Sequence, residues 1–238
     1  MSSNRQDFRK RESPEMFDRI APTYDLVNRL LSFGLDTAWR KKVGYLLPKA
    51  DDLKLLDLAT GTADLIIGLC ETCPQISSAV GIDLSKNMLE VGQKKVDNRG
   101  WQSKIRLEAG DAMCLEWDDN LFEAVTMSFG IRNVPDAEKT LKEVYRVLKP
   151  SGKALILEFS IPSNIFIRLG HLFYLRHVLP MVGALFSGDY QAYRYLNTTI
   201  EHFPYGDDFT KLMTEAGFSF VNIHPLTFGV ATLYEGIR

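Results

Sequence analysis

A chain of 238 residues has the length of one large domain and falls short of the usual length for two. Hydrophobic residues make up 45% and charged residues 24%, which supplies a core and excludes a disordered or fibrous protein. The 28 Lys and Arg against 30 Asp and Glu lack the basic excess of a nucleic-acid binder, and the three cysteines point to a reducing cytoplasm rather than a disulfide framework.

Met1 to Glu12 is polar, with Arg5, Arg9, Lys10 and Arg11, and has no signal-peptide apolar run. The first fifty residues read as helices. Met16, Ile20, Leu26, Leu30 and Leu31 carry their apolar contacts, with breaks near Pro22 and Gly34. From Leu53 the chain alternates between short apolar runs and amphipathic stretches. Leu55 to Ala59 predicts a buried parallel strand and Ala63 to Cys73 a helix ended by Pro74. A second strand over Ser78 to Ile82 ends at Asp83, and Ser85 caps a helix whose inner face carries Met88, Leu89 and Val96. Lys104 to Glu108 and Phe122 to Met127 are the third and fourth strands. Asp136 caps a helix with Ala137, Leu141, Val144 and Leu148 on one face, stopped by Pro150 and Gly152 before a fifth strand at Ala154 to Leu157.

Ile161 to Ser187 is the longest apolar region, interrupted by Arg168, His171, Arg176 and His177. No run of ~20 consecutive apolar residues is present, so no spanning helix is expected. On one helix Arg168, His171 and Arg176 would fall within roughly 140° of one another at ~100° per residue. That predicts a helix lying on a membrane surface with its basic side outward, or a cap over the active site. A last helix around Asp208 to Glu215, closed by Gly217, precedes strands near Phe218 to Ile223 and Gly229 to Ile237.

The pattern is α/β. It predicts a doubly wound, seven-stranded, mostly parallel sheet with an antiparallel C-terminal edge hairpin. One domain spans the chain: an N-terminal helical cap (1–50), a cofactor-binding core (51–160), a substrate- or membrane-facing insertion (161–206), and a C-terminal helix with a strand pair (207–238).

In such sheets ligands bind beyond the carboxyl ends of the strands, near the point where strand order reverses. Asp57 to Asp64 opens a helix at the end of the first strand, with small residues at 59, 61 and 63 and free N–H donors beyond them. A plain strand–helix turn would look similar. The dinucleotide fingerprint is not met, because position 59 is Ala and position 64 is Asp, which disfavours pyrophosphate. Asp83 stands 22 residues after Gly61, where an acid can accept both ribose hydroxyls; a solvent-facing turn Asp is the bland alternative. Asp111, in Gly110-Asp111-Ala112 after the third strand, can accept from an adenine amine. Three strand ends with polar groups and no phosphate site point to S-adenosylmethionine.

The chain resembles class I S-adenosylmethionine-dependent methyltransferases, and more narrowly the ubiquinone/menaquinone-biosynthesis C-methyltransferase family. The resemblance runs over nearly the whole chain. It rests on Tyr24-Asp25-Leu26-Val27-Asn28 with Ser32, Trp39 and Arg40; on Asp57 to Asp64; on Ser128-Phe129-Gly130-Ile131-Arg132-Asn133-Val134; and on Arg146 to Gly152 with Glu158 and Ser160. Gly61 is expected to bind the cofactor from its turn, and the family implies further contacts at Thr62, Asp83, Asp111, Ala112 and Ser128. It implies a prenylated quinol as substrate, methylated at a ring carbon, with demethylmenaquinol preferred over the methoxy-benzoquinol of ubiquinone biosynthesis. Asp36, Val27, Ser151 and Thr198 depart from the family's usual His, Met, Gly and Glu.

Ring carbon becomes nucleophilic when the neighbouring hydroxyl loses its proton, and phenol-like hydroxyls titrate near pKa ~10. Arg132 could stabilise the phenolate and Asn133 could orient the hydroxyl. The alternative for Arg132 is a pair with an acid beneath the site. Tyr24, Phe129 and Tyr193 are the expected substrate contacts, with Tyr24 and Asp25 closing over the site. None of the four histidines sits in a motif that assigns it as base. Cys70-Glu71-Thr72-Cys73 lacks a second ligand pair, and the chemistry requires no metal. Competing readings are a nicotinamide-dependent oxidoreductase, a methyltransferase of a sterol or small phenol, and a non-catalytic binding protein. The expected setting is the cytoplasm, with peripheral contact to the inner face of the membrane and no nucleic-acid partner.

Overall fold

The computed structural model describes residues 13–238, so the polar stretch 1–12 lies outside the described residues. Three helices come first: α1 (Ser13–Ile20), α2 (Tyr24–Leu31) and α3 (Leu35–Leu46). Strands and helices then alternate as β1 (Leu53–Leu58), α4 (Asp64–Thr72), β2 (Ile76–Asp83), α5 (Lys86–Asp97), β3 (Ile105–Ala109), β4 (Phe122–Ser128), α6 (Ala137–Val147) and β5 (Leu148–Phe159). The insertion follows as α7 (Ile165–Phe173), a π-helical segment Tyr174–Val178, α8 (Leu179–Ser187) and α9 (Tyr190–His202). The chain ends with α10 (Asp207–Glu215), β6 (Phe220–Leu226) and β7 (Ala231–Ile237).

The seven strands lie in the order β3-β2-β1-β4-β5-β7-β6. β1 pairs in parallel with both β2 and β4, so strand order reverses at the β1/β4 junction, where a crevice opens above the carboxyl ends. β7 runs antiparallel between β5 and β6. The expected edge hairpin is therefore present, with β6 outermost and only β7 running against the rest.

Side-chain alternation along β1 feeds both faces. Leu53 and Leu55 join a core with α3 and α4, through Val43, Ile66 and Leu69. Leu56 and Leu58 join the opposite core with α6 and α10, through Leu141, Val144 and Phe209. Each fully buried leucine contributes about 1.5–3 kcal/mol relative to an exposed one. A third cluster, built from Ile20, Val27, Met88, Leu175, Leu179 and Tyr193, joins the N-terminal helices to the insertion.

Several element ends differ from the sequence expectation for backbone reasons. β1 stops at Leu58 and α4 starts at Asp64 because Ala59 and Ala63 are left-handed, with φ of 49° and 64°. β5 begins at Leu148, before Pro150, because its register on β4 shifts between the Phe122–Leu148 and Ala124–Lys153 pairs. Ser151, in the family's glycine position, has φ +66° there. In α2 the buried residue is Val27; Leu26 and Leu30, expected as core contacts, are exposed. Leu89 is only partly buried on α5, whereas Met88 and Val96 are buried.

The insertion also differs. Ile165–Ser187 is a continuous helical run of 23 residues, long and apolar enough by composition to cross a membrane, contrary to the expectation that it is too interrupted. Its inner residues, however, pack on the domain: Leu175, Leu179, Pro180 and Gly183 are buried. Its basic residues are only partly turned outward: Arg176 and His177 are exposed, Arg168 and His171 are not. Arg168 donates to Pro162 O at 3.2 Å, Arg176 pairs with Glu201 at 2.5 Å, and His171 lines an internal cavity. Ile165, Phe166, Leu169, Phe173, Met181, Leu185 and Phe186 are its exposed large apolar side chains.

Gly183 lets α8 approach α9 closely, since a Cβ there would lie 2.3 Å from the Tyr193 ring. Gly183→Ala should therefore destabilise the protein by about 1–3 kcal/mol, the range for overpacking. Thermal unfolding of the variant measures this; a Tm equal to wild type would show that α8 yields freely.

Candidate active site

The loops leaving β1 and β4 hold an unusual density of left-handed backbone. Gly61, at φ 55°, adopts it without penalty, but Ala59, Ala63 and Phe129, at 49°, 64° and 57°, do not. Strain gathered at adjoining strand ends is typical of a surface built to meet a ligand. Asp57 anchors it. Its buried carboxylate accepts from the Thr60 and Thr126 hydroxyls, each at 2.6 Å, and so ties the loop after β1 to β4. Burial pushes its carboxyl up to about 6, against the pull of both hydroxyls.

Asp83 is aimed by the backbone. Its Oδ2 accepts from Gly61 N and its Oδ1 from Ser85 N, both at 2.8 Å. Burial raises its carboxyl above the ordinary value while these backbone donors oppose the rise. The Ser85 cap forms as expected, accepting from Met88 N at 3.2 Å. Asp111 is held similarly, with Oδ1 accepting from Met113 N at 2.8 Å.

A cavity of about 240 Å³ brings together Gly61, Asp83, Asp111, Ala112 and Ser128. Thr62, also expected there, lies outside this lining. It is 2% exposed and donates to Asp25 Oδ1 at 2.5 Å, which fastens α2 to the loop. The Ser128 hydroxyl is buried without a hydrogen-bond partner. Among the described residues the lining holds two carboxylates and no Lys or Arg. Such a wall suits a nucleoside with a cationic tail and offers nothing to neutralise phosphates. The residues therefore fit S-adenosylmethionine.

A second cavity of about 410 Å³ lies under α1, α2 and α3 on one side and α7 and α9 on the other. Phe17, Tyr24, Phe129 and Asn133 line both cavities and form their common wall. The larger one is mostly aromatic and aliphatic. Phe129 and Phe159 stack at 4.4 Å between centroids, and Trp39 sits 6.0 and 6.2 Å from them. Tyr193 lines this cavity as well.

Arg132 also lines it, and takes the alternative arrangement weighed above. Its Nη1 donates to Glu158 Oε1 and to Phe129 O, each at 2.6 Å, with Arg132 4% and Glu158 0% exposed. The guanidinium lies 5.4 Å from the Phe159 ring centroid. Arg132 Nε and Asn133 Oδ1 remain buried without partners. The ion pair fixes the arginine, and its free Nε is left for a ligand. Burial raises the Tyr24 phenol further above its usual value, so it stays protonated at neutral pH.

Asp25 does not face either cavity. It joins an ionic chain in which Lys95 bridges Asp25 and Asp64 at 2.6 Å each, and Arg40 bridges Asp64 and Asp36 at 3.0 and 3.1 Å. Asp36, one of the departures, is buried and also accepts from Ser32 Oγ at 2.8 Å. Trp39, Arg40 and Glu158 stood in recognisable motifs without an assigned role. His171 stood out only by its place on the insertion helix, and Phe159 had no sequence signal.

Comparison with known proteins places these features. A sequence model of the ubiE/COQ5 methyltransferase family matches residues 5–238. The chain is 44% identical to the demethylmenaquinone methyltransferase of Thermus thermophilus over 94% of its own length and 100% of the relative's. It is 41% identical to the ubiquinone/menaquinone biosynthesis C-methyltransferase UbiE of Geotalea daltonii, covering 93% and 94% of the two chains. Its fold is similar to that of a SAM-dependent methyltransferase from Thermotoga maritima, with a TM-score of 0.66 at 18% identity over 94% and 99% of the chains. A SAM-dependent methyltransferase from Aquifex aeolicus gives 0.62 at 15% over 94% and 97%.

Arg132→Ala should cost about 3–5 kcal/mol, because it strands the Glu158 charge in the interior. Arg132→Met combined with Glu158→Gln should recover most of that loss. Thermal unfolding of both variants decides, and equal instability of the two would show that the pair's charge is not what matters.

Proposed function

Since the chain belongs to the ubiE/COQ5 methyltransferase family, an S-adenosylmethionine-dependent methyltransferase of quinone biosynthesis, we propose that its acceptor is a polyprenylated quinol and, most narrowly, demethylmenaquinol. The observation that carries this reading is the common wall of Phe17, Tyr24, Phe129 and Asn133. It sets an aromatic-lined cavity against the site of the methyl donor. Phe129, Phe159 and Trp39 offer flat faces suited to a bicyclic ring.

When bound, S-adenosylmethionine supplies an electrophilic methyl group. Asp83, Asp111 and Ser128 would hold its nucleoside from three strand ends. Across the wall, Asn133 Oδ1 is a free acceptor for the hydroxyl beside the reacting ring carbon. Arg132 favours that hydroxyl's ionised form through its unpartnered Nε–H. The hydroxyl proton leaves to water and the ortho carbon becomes nucleophilic. After methylation the proton on that carbon is lost to water as the ring regains its aromaticity. Tyr24 and Phe129 hold the ring in line and exclude water from between the cavities.

The exposed apolar face of α7 and α8 suits contact with a bilayer, from which a prenyl tail must enter the larger cavity. Ile167, Tyr174 and Leu175 line that cavity from the same helical run, so face and cavity share one wall. This supports a reading in which the enzyme works at the cytoplasmic side of a membrane, held chiefly by apolar insertion.

Two measurements test these readings. Purified protein with methyl-labelled S-adenosylmethionine should methylate demethylmenaquinol faster than the methoxy-benzoquinol. The reverse preference would assign it to the ubiquinone branch, and no transfer to either would reject a quinol acceptor. For the membrane, Phe166→Asp with Leu185→Asp should reduce co-sedimentation with neutral liposomes by more than roughly tenfold, given the apolar area withdrawn. Undiminished binding would reject the assigned face.

A further inference from the structure

The insertion places one imidazole in an otherwise apolar stretch of the larger cavity. His171 lies on α7 between Ile167 and Tyr174, which also line that cavity. The chain then passes into the π-helical segment Tyr174–Val178, a local widening that recurs at functional sites. The Tyr174 hydroxyl donates to Leu31 O at 2.7 Å, which holds this part of the insertion against the end of α2.

His171 Nε2 is buried and has no hydrogen-bond partner among the described residues. An unsatisfied buried nitrogen costs about 1–3 kcal/mol, which a ligand supplying the missing partner would return. Burial alone lowers the imidazole's pKa, with no carboxylate beside it to restore the charge, so the ring is neutral at neutral pH. A neutral imidazole offers one accepting and one donating nitrogen. His171 lines the larger cavity only, whereas Asn133 lines both. Asn133 Oδ1 is thus an unpartnered acceptor on the methyl-donor wall and His171 Nε2 an unpartnered nitrogen away from it, besides the Arg40 and Arg132 Nε and the Tyr193 and Tyr195 hydroxyls.

A quinol carries hydroxyls on opposite carbons of its ring. Resting on the quinol reading above, we propose that His171 hydrogen-bonds the hydroxyl across the ring from the one held at Asn133, and so selects rings bearing both. That hydroxyl takes no part in bond making. Its recognition fixes the rotation of the ring and thereby which ortho carbon meets the methyl group.

The test is a cycle of two proteins and two acceptors. Wild type and His171→Phe are each assayed with demethylmenaquinol and with the analogue bearing hydrogen in place of the far hydroxyl. Removing that hydroxyl also weakens the ring as a nucleophile, but this loss is common to both proteins and cancels in the ratio. The expected result is a preference for the quinol, in kcat/KM, roughly tenfold greater in wild type than in His171→Phe, the worth of one neutral hydrogen bond. His171→Gln, which keeps a polar group, should recover part of it. Calorimetric affinity for S-adenosylmethionine should be the same in all three proteins. Equal preference in wild type and His171→Phe would overturn the role of His171 while leaving the quinol reading intact. Loss of cofactor affinity in His171→Phe would also overturn it, as a sign of general damage to the site. If wild type methylates neither acceptor, the quinol reading falls and the role of His171 falls with it.

Discussion

One carboxylate sets the spacing on which both cavities depend. Asp57 lies at the junction where strand order reverses, and it accepts a hydroxyl from its own loop and another from β4. Removing such a group from water is expensive, as its raised pKa records, and two short hydrogen bonds only partly offset the cost. What the fold gains is a rigid link between two strained loops. Gly61 can then receive Asp83 from one side, and Phe129 can present its ring on the other.

The helical roof is bound to this platform by polar contacts as well as by apolar packing. Thr62 reaches Asp25 on α2, and Ser85 and the Asn87 backbone reach Asp18 on α1 at 2.6 and 3.0 Å. These tethers land beside the loops that carry Gly61 and Asp83. The roof and the cofactor loops therefore behave as one mechanical unit, and the Asp25–Lys95–Asp64–Arg40–Asp36 chain extends that unit through α5, α4 and α3.

The strand–helix alternation was legible because each buried strand is a short apolar run bounded by small or polar residues. Ser128 was named only through the family resemblance; Asp83 and Asp111 were legible as strand-end groups, since their place follows from the topology. Thr62 was not. Its neighbours predict a ligand contact, but its hydroxyl faces a helix from the start of the chain, and long-range pairing leaves no local trace. The same limit left the acid beneath Arg132 without a name until the fold brought Glu158, 26 residues away in sequence, against it. The insertion admits two readings from its sequence, a surface helix or a cap over the site, because a helical wheel gives angles between side chains but not which side the domain covers. With α8 closed on Tyr193, His171 of the wheel's polar sector lines the cavity while Arg176 stays exposed, and an apolar sector faces out.

Four side chains stand between the two chambers and answer to both occupants at once. A change at Tyr24 or Asn133 that suited a new acceptor would also disturb the donor. Freedom to diversify thus belongs to positions with a single allegiance, such as Trp39, Phe159 and His171. Asp36, Val27 and Thr198 all stand off that partition. Descent can retune what is methylated there while the apparatus that delivers the carbon stays as it was.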